Sequence, residues 1–168
     1  MIKRRSIQLI FLLCVVLANI GCDQVSKAIV RKQIDAHEHI SLIEQHLILT
    51  RVENTGAFLS LGEDLPPVLK VWVLTVLPTI ALFLVLWWLF QQAGHRTISL
   101  FAAGCIAGGG IGNVYDRIVY GSVTDFIYIH AGFFRTGIFN FADISITAGI
   151  IVLITTQYWQ LFKEKRGA

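Results

Sequence analysis

Four long apolar runs constrain this chain more than any other feature. Each is close to the roughly 17–25 residues that a helix needs to cross a bilayer. They cover about residues 7–22, 68–90, 98–114 and 144–162. A soluble domain with 55% apolar residues in 168 could fill a core, but it does not normally carry several uninterrupted apolar runs. The expected fold is therefore a membrane protein, mainly α: a four-transmembrane-helix bundle with a small extracytoplasmic loop region containing β-structure. The first run can continue helically through the Asp23 motif, and the third is the shortest and rich in glycine. No repeat, linker or low-complexity tract divides the chain. Residues 1–168 are expected to form a single polytopic membrane domain, with outer loops about 31–67 and 115–142.

Charge sets the expected orientation. Lys3, Arg4, Arg5, Arg96, Lys163, Lys165 and Arg166 share one side if the N-terminus is cytoplasmic. Asp35, Glu38, Glu44, Glu53, Glu63 and Asp64 then face outward, which agrees with the excess of Lys and Arg on cytoplasmic loops. Trp87, Trp88, Tyr158 and Trp159 fall at the inner interface and Trp72 near the outer one, as an aromatic belt requires. Both termini are expected inside. The net charge of +3 carries no aromatic-interleaved basic stripe, so no nucleic-acid partner is expected. Leu47–Val52 is aliphatic and β-branched enough to form a strand. The aromatic segment from Tyr115 to Phe141 is expected to lie along the membrane surface. Cys14, Cys22 and Cys105 are an odd number in apolar stretches and read as small hydrophobes.

Polar residues at the span ends carry the chemistry, because a charge beside lipid is costly. Asp23 and Lys27 are four apart, so they share a helix face and can pair; the pair either holds the helix end or meets substrate. Asn54-Thr55-Gly56 reads as a surface turn or a binding loop. Gly104, Gly108 and Gly112 make a small-residue stripe that lets another helix approach; it is expected to bring the third and fourth spans together. Asn113, Asp116 and Arg117 share a face if that helix continues. Arg117 beside Asp116 favours the charged carboxylate, a poor proton donor, so this pair reads as chiefly structural. Asp125 and Asp143 differ, with apolar neighbours and no adjacent Lys or Arg. Each is either a helix cap or half of an acid–base pair sharing one proton. Asn140, three residues before Asp143, could orient it or bind a substrate carbonyl. His37, His39 and His46 with Glu38 and Glu44 lack metal-ligand spacing, so no metal site is expected. Lys3-Arg4-Arg5, an apolar run and Gly21-Cys22 imitate a lipoprotein signal peptide, but Asn19 fits poorly and three further spans follow.

Five motifs in order, Asp23-Gln-x-Ser-Lys27, Asn54-Thr-Gly-Ala57, Gly112-Asn-x-x-Asp-Arg117, Val123-x-Asp-Phe126 and Phe139-Asn-x-Ala-Asp143, closely resemble bacterial lipoprotein signal peptidase. The resemblance covers the chain from Asp23 to the fourth span. It implies a four-helix aspartic peptidase of the inner membrane with its active site near the outer face. Such an enzyme removes the signal peptide of diacylglyceryl-modified prolipoproteins by cleaving before the lipidated cysteine, and is the target of globomycin. By motif, Asp125 and Asp143 are implied as the catalytic dyad. Asn54, Gly56, Asn113, Asp116, Arg117, Asn140, Asp23 and Lys27 are implied as substrate-binding or supporting residues. Lipid-modified prolipoproteins and membrane lipids are the implied partners, with the chain acting as a monomer and with no metal or organic cofactor. Two departures stand out. Ala57 is followed directly by Phe58 and Leu59 where many members have a second alanine, and Gly109-Gly110-Ile111 replaces a Gly-Ala-Leu run. A small transporter or assembly subunit, whose aspartates relay protons or bind a partner, is the alternative; a third is a tethered lipoprotein cleaved before Cys22.

Overall fold

The structure, a computed structural model, describes residues 2–36, 38–44, 46–57, 61–91 and 97–167. His37, Phe58, Leu59 and Arg96, and the side chains of Lys3, Arg4, Trp88 and Lys165, lie outside the described parts.

Helix α1 runs unbroken over Ile2–Gln33, so the first apolar run and the Asp23 motif are one rod. Positions 23, 27 and 31 follow one another at spacing four and line one face of it. The second span is composite: α2 (Pro67–Val71), a π-helical turn (Trp72–Val76) and α3 (Leu77–Gln91). Pro67 fits the first turn of α2, where its missing N–H would be unpaired anyway. Pro78 cannot donate to the carbonyl four residues back; immediately before it the ladder widens, and the Leu77 N–H reaches the Trp72 carbonyl. Helix α4 covers Thr97–Tyr120 and α5 covers Phe141–Gly167. Among the described residues, four stretches are long and apolar enough to cross a membrane: Arg5–Gln33, Pro67–Trp87, Thr97–Tyr120 and Phe141–Trp159.

Helix α4 is the core of the bundle. Of its most apolar window 67% is buried, against 6–11% for the other three spans, whose apolar faces are left for lipid. Successive residues on a helix are about 100° apart, so the three glycines at 108–110 face three different helices. Gly108 meets Asn19 and the Val16 carbonyl on α1, Gly109 meets the Ala142 carbonyl on α5, and Gly110 meets Leu82 on α3. The stripe Gly104, Gly108 and Gly112 faces Val15, Asn19 and Asp23. It therefore packs the third span on the first, which corrects the expectation that it joins the third to the fourth. The α4–α5 approach uses Gly109 and Gly149 instead.

The two loops expected to face outward meet in an antiparallel sheet of order β1-β2-β3-β4: His39–Ile43, Leu47–Asn54, Val123–Ala131 and Phe134–Arg135. The expected strand at 47–52 is present and longer. The aromatic segment after the third span is built as a continuation of α4 to Tyr120 and then as β3. Gly121, with φ +74°, ends α4 by donating its N–H to the Arg117 carbonyl, a left-handed cap that suits glycine. Val30 and Ile34 at the end of α1 pack on Phe126 and Ile127 of β3, which fixes the sheet to the bundle.

Candidate active site

Strand β3 delivers Asp125 opposite Val52 of β2, with the side chain only 4% exposed. Both its oxygens are taken by amide donors: Asn54 Nδ2 donates to Oδ2 at 2.9 Å and Asn140 Nδ2 to Oδ1 at 2.6 Å. Neither donor can turn over freely. Asn54 Oδ1 accepts the Gly56 N–H at 2.8 Å, and Asn140 Oδ1 accepts the Asp143 N–H at 3.0 Å.

Asp143 is delivered by the start of α5. The cap there is Asn140, and Asp143 is the third helical residue, returning a hydrogen bond from the Asn140 N–H at 3.1 Å. This reciprocal capping box corrects the reading of Asp143 as the cap itself. Capping leaves Asp143 Oδ1 to accept from Asn113 Nδ2 at 2.9 Å. Asn140 Nδ2 also lies 3.2 Å from Asn113 Oδ1, so two asparagine amides bridge the two aspartates.

Behind them sits a fully buried ion cluster. Asp23, Lys27 and Asp116 are all 0% exposed. Lys27 Nζ lies 2.8 Å from Asp23 Oδ2, 2.9 Å from Asp116 Oδ2 and 2.9 Å from Asn113 Oδ1. The Asp116 contact is an ion pair off the hydrogen-bonding direction, since Oδ2 has no aligned donor. Arg31 Nη2 lies 3.0 Å from the other Asp116 oxygen. Two carboxylates thus face two cations, the balance a buried charge requires. Asp23 Oδ1 also accepts the Ala142 N–H at 3.0 Å; this places an anion at the α5 N-terminus, where the helix dipole favours it.

Arg117 departs from one expectation only, its pairing with its neighbour in sequence. It does not pair with Asp116; its guanidinium donates to the carbonyls of Gly56 at 2.9 Å and Asn113 at 3.3 Å. One turn of helix explains the split, because Asn113 and Arg117 share the cleft-facing side while Asp116 points to α1. The cleft is lined by Asn54, Ala57, Asn113, Arg117, Val123, Asp125, Ile138 and Asp143. Burial, reinforced by the charge of Asp143, holds the Asp125 carboxyl up to about 6 despite the amides of Asn54 and Asn140 that favour its ionised form. A group titrating there can exchange a proton near neutrality.

Every residue singled out by motif joins this cluster: Asp23, Lys27, Asn54, Gly56, Asn113, Asp116, Arg117, Asn140 and the two aspartates. The sequence reading missed Gln24, whose amide reaches Asp23, Asp116 and the Gly112 carbonyl. It also missed Arg31 and Thr124, and the lining residues Val123 and Ile138. Arg31 could have been found from its place four residues beyond Lys27 on one helix face; Ile138 gives no signal. Among the described histidines, His46 and His130 bond to backbone carbonyls at the far end of the sheet. Among the described residues no group of His, Cys, Asp and Glu is arranged to hold a metal.

The family model for signal peptidase (SPase) II matches residues 15–159. The lipoprotein signal peptidase of Desulforapulum autotrophicum is 36% identical over 138 residues, 80% of this chain and 83% of that protein. That of Aquifex aeolicus is 34% identical over 138 residues, covering 82% and 79%. A bacterial membrane enzyme solved by the in meso method at 2.3 Å resolution superposes with a TM-score of 0.77 at 25% identity, over 93% of this chain and 90% of that one. With its motifs gathered around one cleft and its relatives sharing most of its length, the chain belongs to the signal peptidase II family.

Proposed function

We propose that this chain hydrolyses the peptide bond preceding the lipid-modified cysteine of prolipoproteins, with Asp125 and Asp143 as its catalytic pair. Removal of signal peptides from lipoproteins follows from membership of the family. The observation that supports the aspartic assignment is that two carboxylates from separate elements line one cleft and are bridged by Asn113 and Asn140. One ionised aspartate draws a proton from the attacking water. Its protonated partner polarises the scissile carbonyl and stabilises the developing oxyanion. The two titrate as a unit, and the fixed amides hold them in place without a reorganisation cost during reaction.

The four aspartates near the bundle end form one cluster linked by hydrogen bonds and ion pairs, rather than being spaced along a span as a transport relay requires. The continuous α1 helix, with Asp23 buried directly after Cys22, supports keeping the first span rather than cleaving it. In this reading the chain is a single multi-pass domain of the bacterial inner membrane, with spans about 7–22, 68–90, 98–114 and 144–162. Its termini are cytoplasmic, its cleft opens near the outer face, and it acts as a monomer among membrane lipids. Cleavage of a diacylglyceryl-modified prolipoprotein peptide by wild type, D125N and D143N tests it. Each variant should lose at least about a thousandfold in kcat, in line with removal of one member of a catalytic unit. Near-normal processing by either variant, correctly inserted, overturns the assignment.

A further inference from the structure

Arg31 belongs to none of the motifs, yet residues from three other elements, α4, β3 and β2, converge on it. Its Nη2 lies 3.0 Å from Asp116 on α4, and its Nε donates to Thr124 Oγ1 on β3 at 2.7 Å. The guanidinium stacks 3.9 Å over the Tyr120 ring, and the Arg31 carbonyl accepts from Arg51 of β2 at 3.0 Å. Its side chain is 15% exposed and Thr124 is fully buried. Thr124 in turn donates to Glu53, which also accepts from Ser122.

These contacts complete a closed path. From Asp125 it passes through Asn140 and Asn113 to Lys27, then through Asp116 to Arg31, and through Thr124 back along the chain to Asp125. Asp143 hangs on the same Asn113. Every link but one lies within the helix bundle or at the cleft; among the described residues, the Arg31–Thr124 hydrogen bond ties the strand carrying Asp125 to the ion cluster from behind. Resting on the dyad reading above, we propose that Arg31 is a positioning residue: by joining Asp116 to Thr124 it fixes β3, and with it Asp125, relative to Asp143. The guanidinium donates to Thr124 through Nε, is ion-paired with Asp116 through Nη2 and lies over the Tyr120 ring; an ammonium lacks the planar face that stacks on such a ring. A small displacement of a reacting group can cost about a hundredfold in rate.

The test uses the full chain in lipid micelles with a diacylglyceryl-modified peptide, with kcat referred to the amount of folded enzyme. R31Q should lower kcat by about tenfold to a hundredfold with KM within about twofold, because Arg31 does not line the cleft. R31K keeps the charge but not the fork, and should fall between R31Q and wild type. T124V, nearly isosteric, should lower kcat in the same direction, and R31Q/T124V should be no worse than R31Q alone, as expected for one coupled unit. If R31Q does not fold, R31K and T124V carry the test. Wild-type kcat per folded enzyme in these variants, a loss confined to KM, or additive losses in the double variant overturn the proposal. D125N in the same assay separates the two readings. If it is inactive while R31Q is normal, only the role of Arg31 fails; if D125N is active, the dyad itself fails.

Discussion

Replacing Asp125 by Asn separates what this carboxylate does for chemistry from what it costs the fold. Its carboxyl rises from an ordinary 3.8 to about 6 in the folded protein. At about 1.4 kcal/mol per unit, the ionised group at about pH 8 makes the fold about 3 kcal/mol less stable than a permanently neutral one would. The sign follows from a folded value above the unfolded one: the contribution is fully present below about 4 and is lost as pH rises through about 6. Asn cannot titrate, so the stability of D125N relative to wild type should improve by about 2 kcal/mol between about pH 4.5 and about pH 8. A pH-independent offset opposes this. Asn54 and Asn140 both present N–H groups to position 125, and both are pinned by their other ends. An Asn there can accept from one and must face the other with its own NH2, at about 1–3 kcal/mol. Unfolding of the micelle-embedded chain at the two pH values would read the slope apart from the offset. A difference between D125N and wild type that does not change with pH would refute the argument that burial raises this group.

Gly112→Ala would place a Cβ 2.5 Å from Asp23 Oδ2, whereas Gly21→Ala meets nothing within 4 Å; the first should destabilise by about 1–3 kcal/mol, and the second, in the interior of α1, should stabilise by about 0.5–1 kcal/mol, as thermal unfolding would show. Lys27→Met leaves Asp23 and Asp116 facing one remaining cation in a fully buried site, and should cost about 3–5 kcal/mol, part of which D116N should restore in the double variant. Asn140→Ala removes both the α5 cap and a donor to Asp125. It should lower stability by about 1–2 kcal/mol and kcat by more than tenfold, whereas Ser at 140, which can still cap, should keep the stability but not the rate.

The apolar runs were legible because lipid imposes a length and a composition on each span independently of its neighbours. The order of the five motifs made the clustered polar residues legible too, and the i,i+4 spacing of Asp23 and Lys27 anticipated their 2.8 Å contact. Rotation about a helix axis was not legible. The glycine stripe faces α1 rather than α5, and Asp116 turns from its neighbour Arg117 to Lys27 and Arg31. Sequence spacing gives the faces of a helix but does not say which partner covers each one. Nor could local sequence show that Asn140 rather than Asp143 caps α5, since both residue types cap well and only the backbone chooses. The sequence by itself determined a four-span protein with costly carboxylates at its span ends. Only the tertiary structure decided that Asp125 and Asp143 share a cleft, because a strand and a helix start meet there through asparagines 27 residues apart.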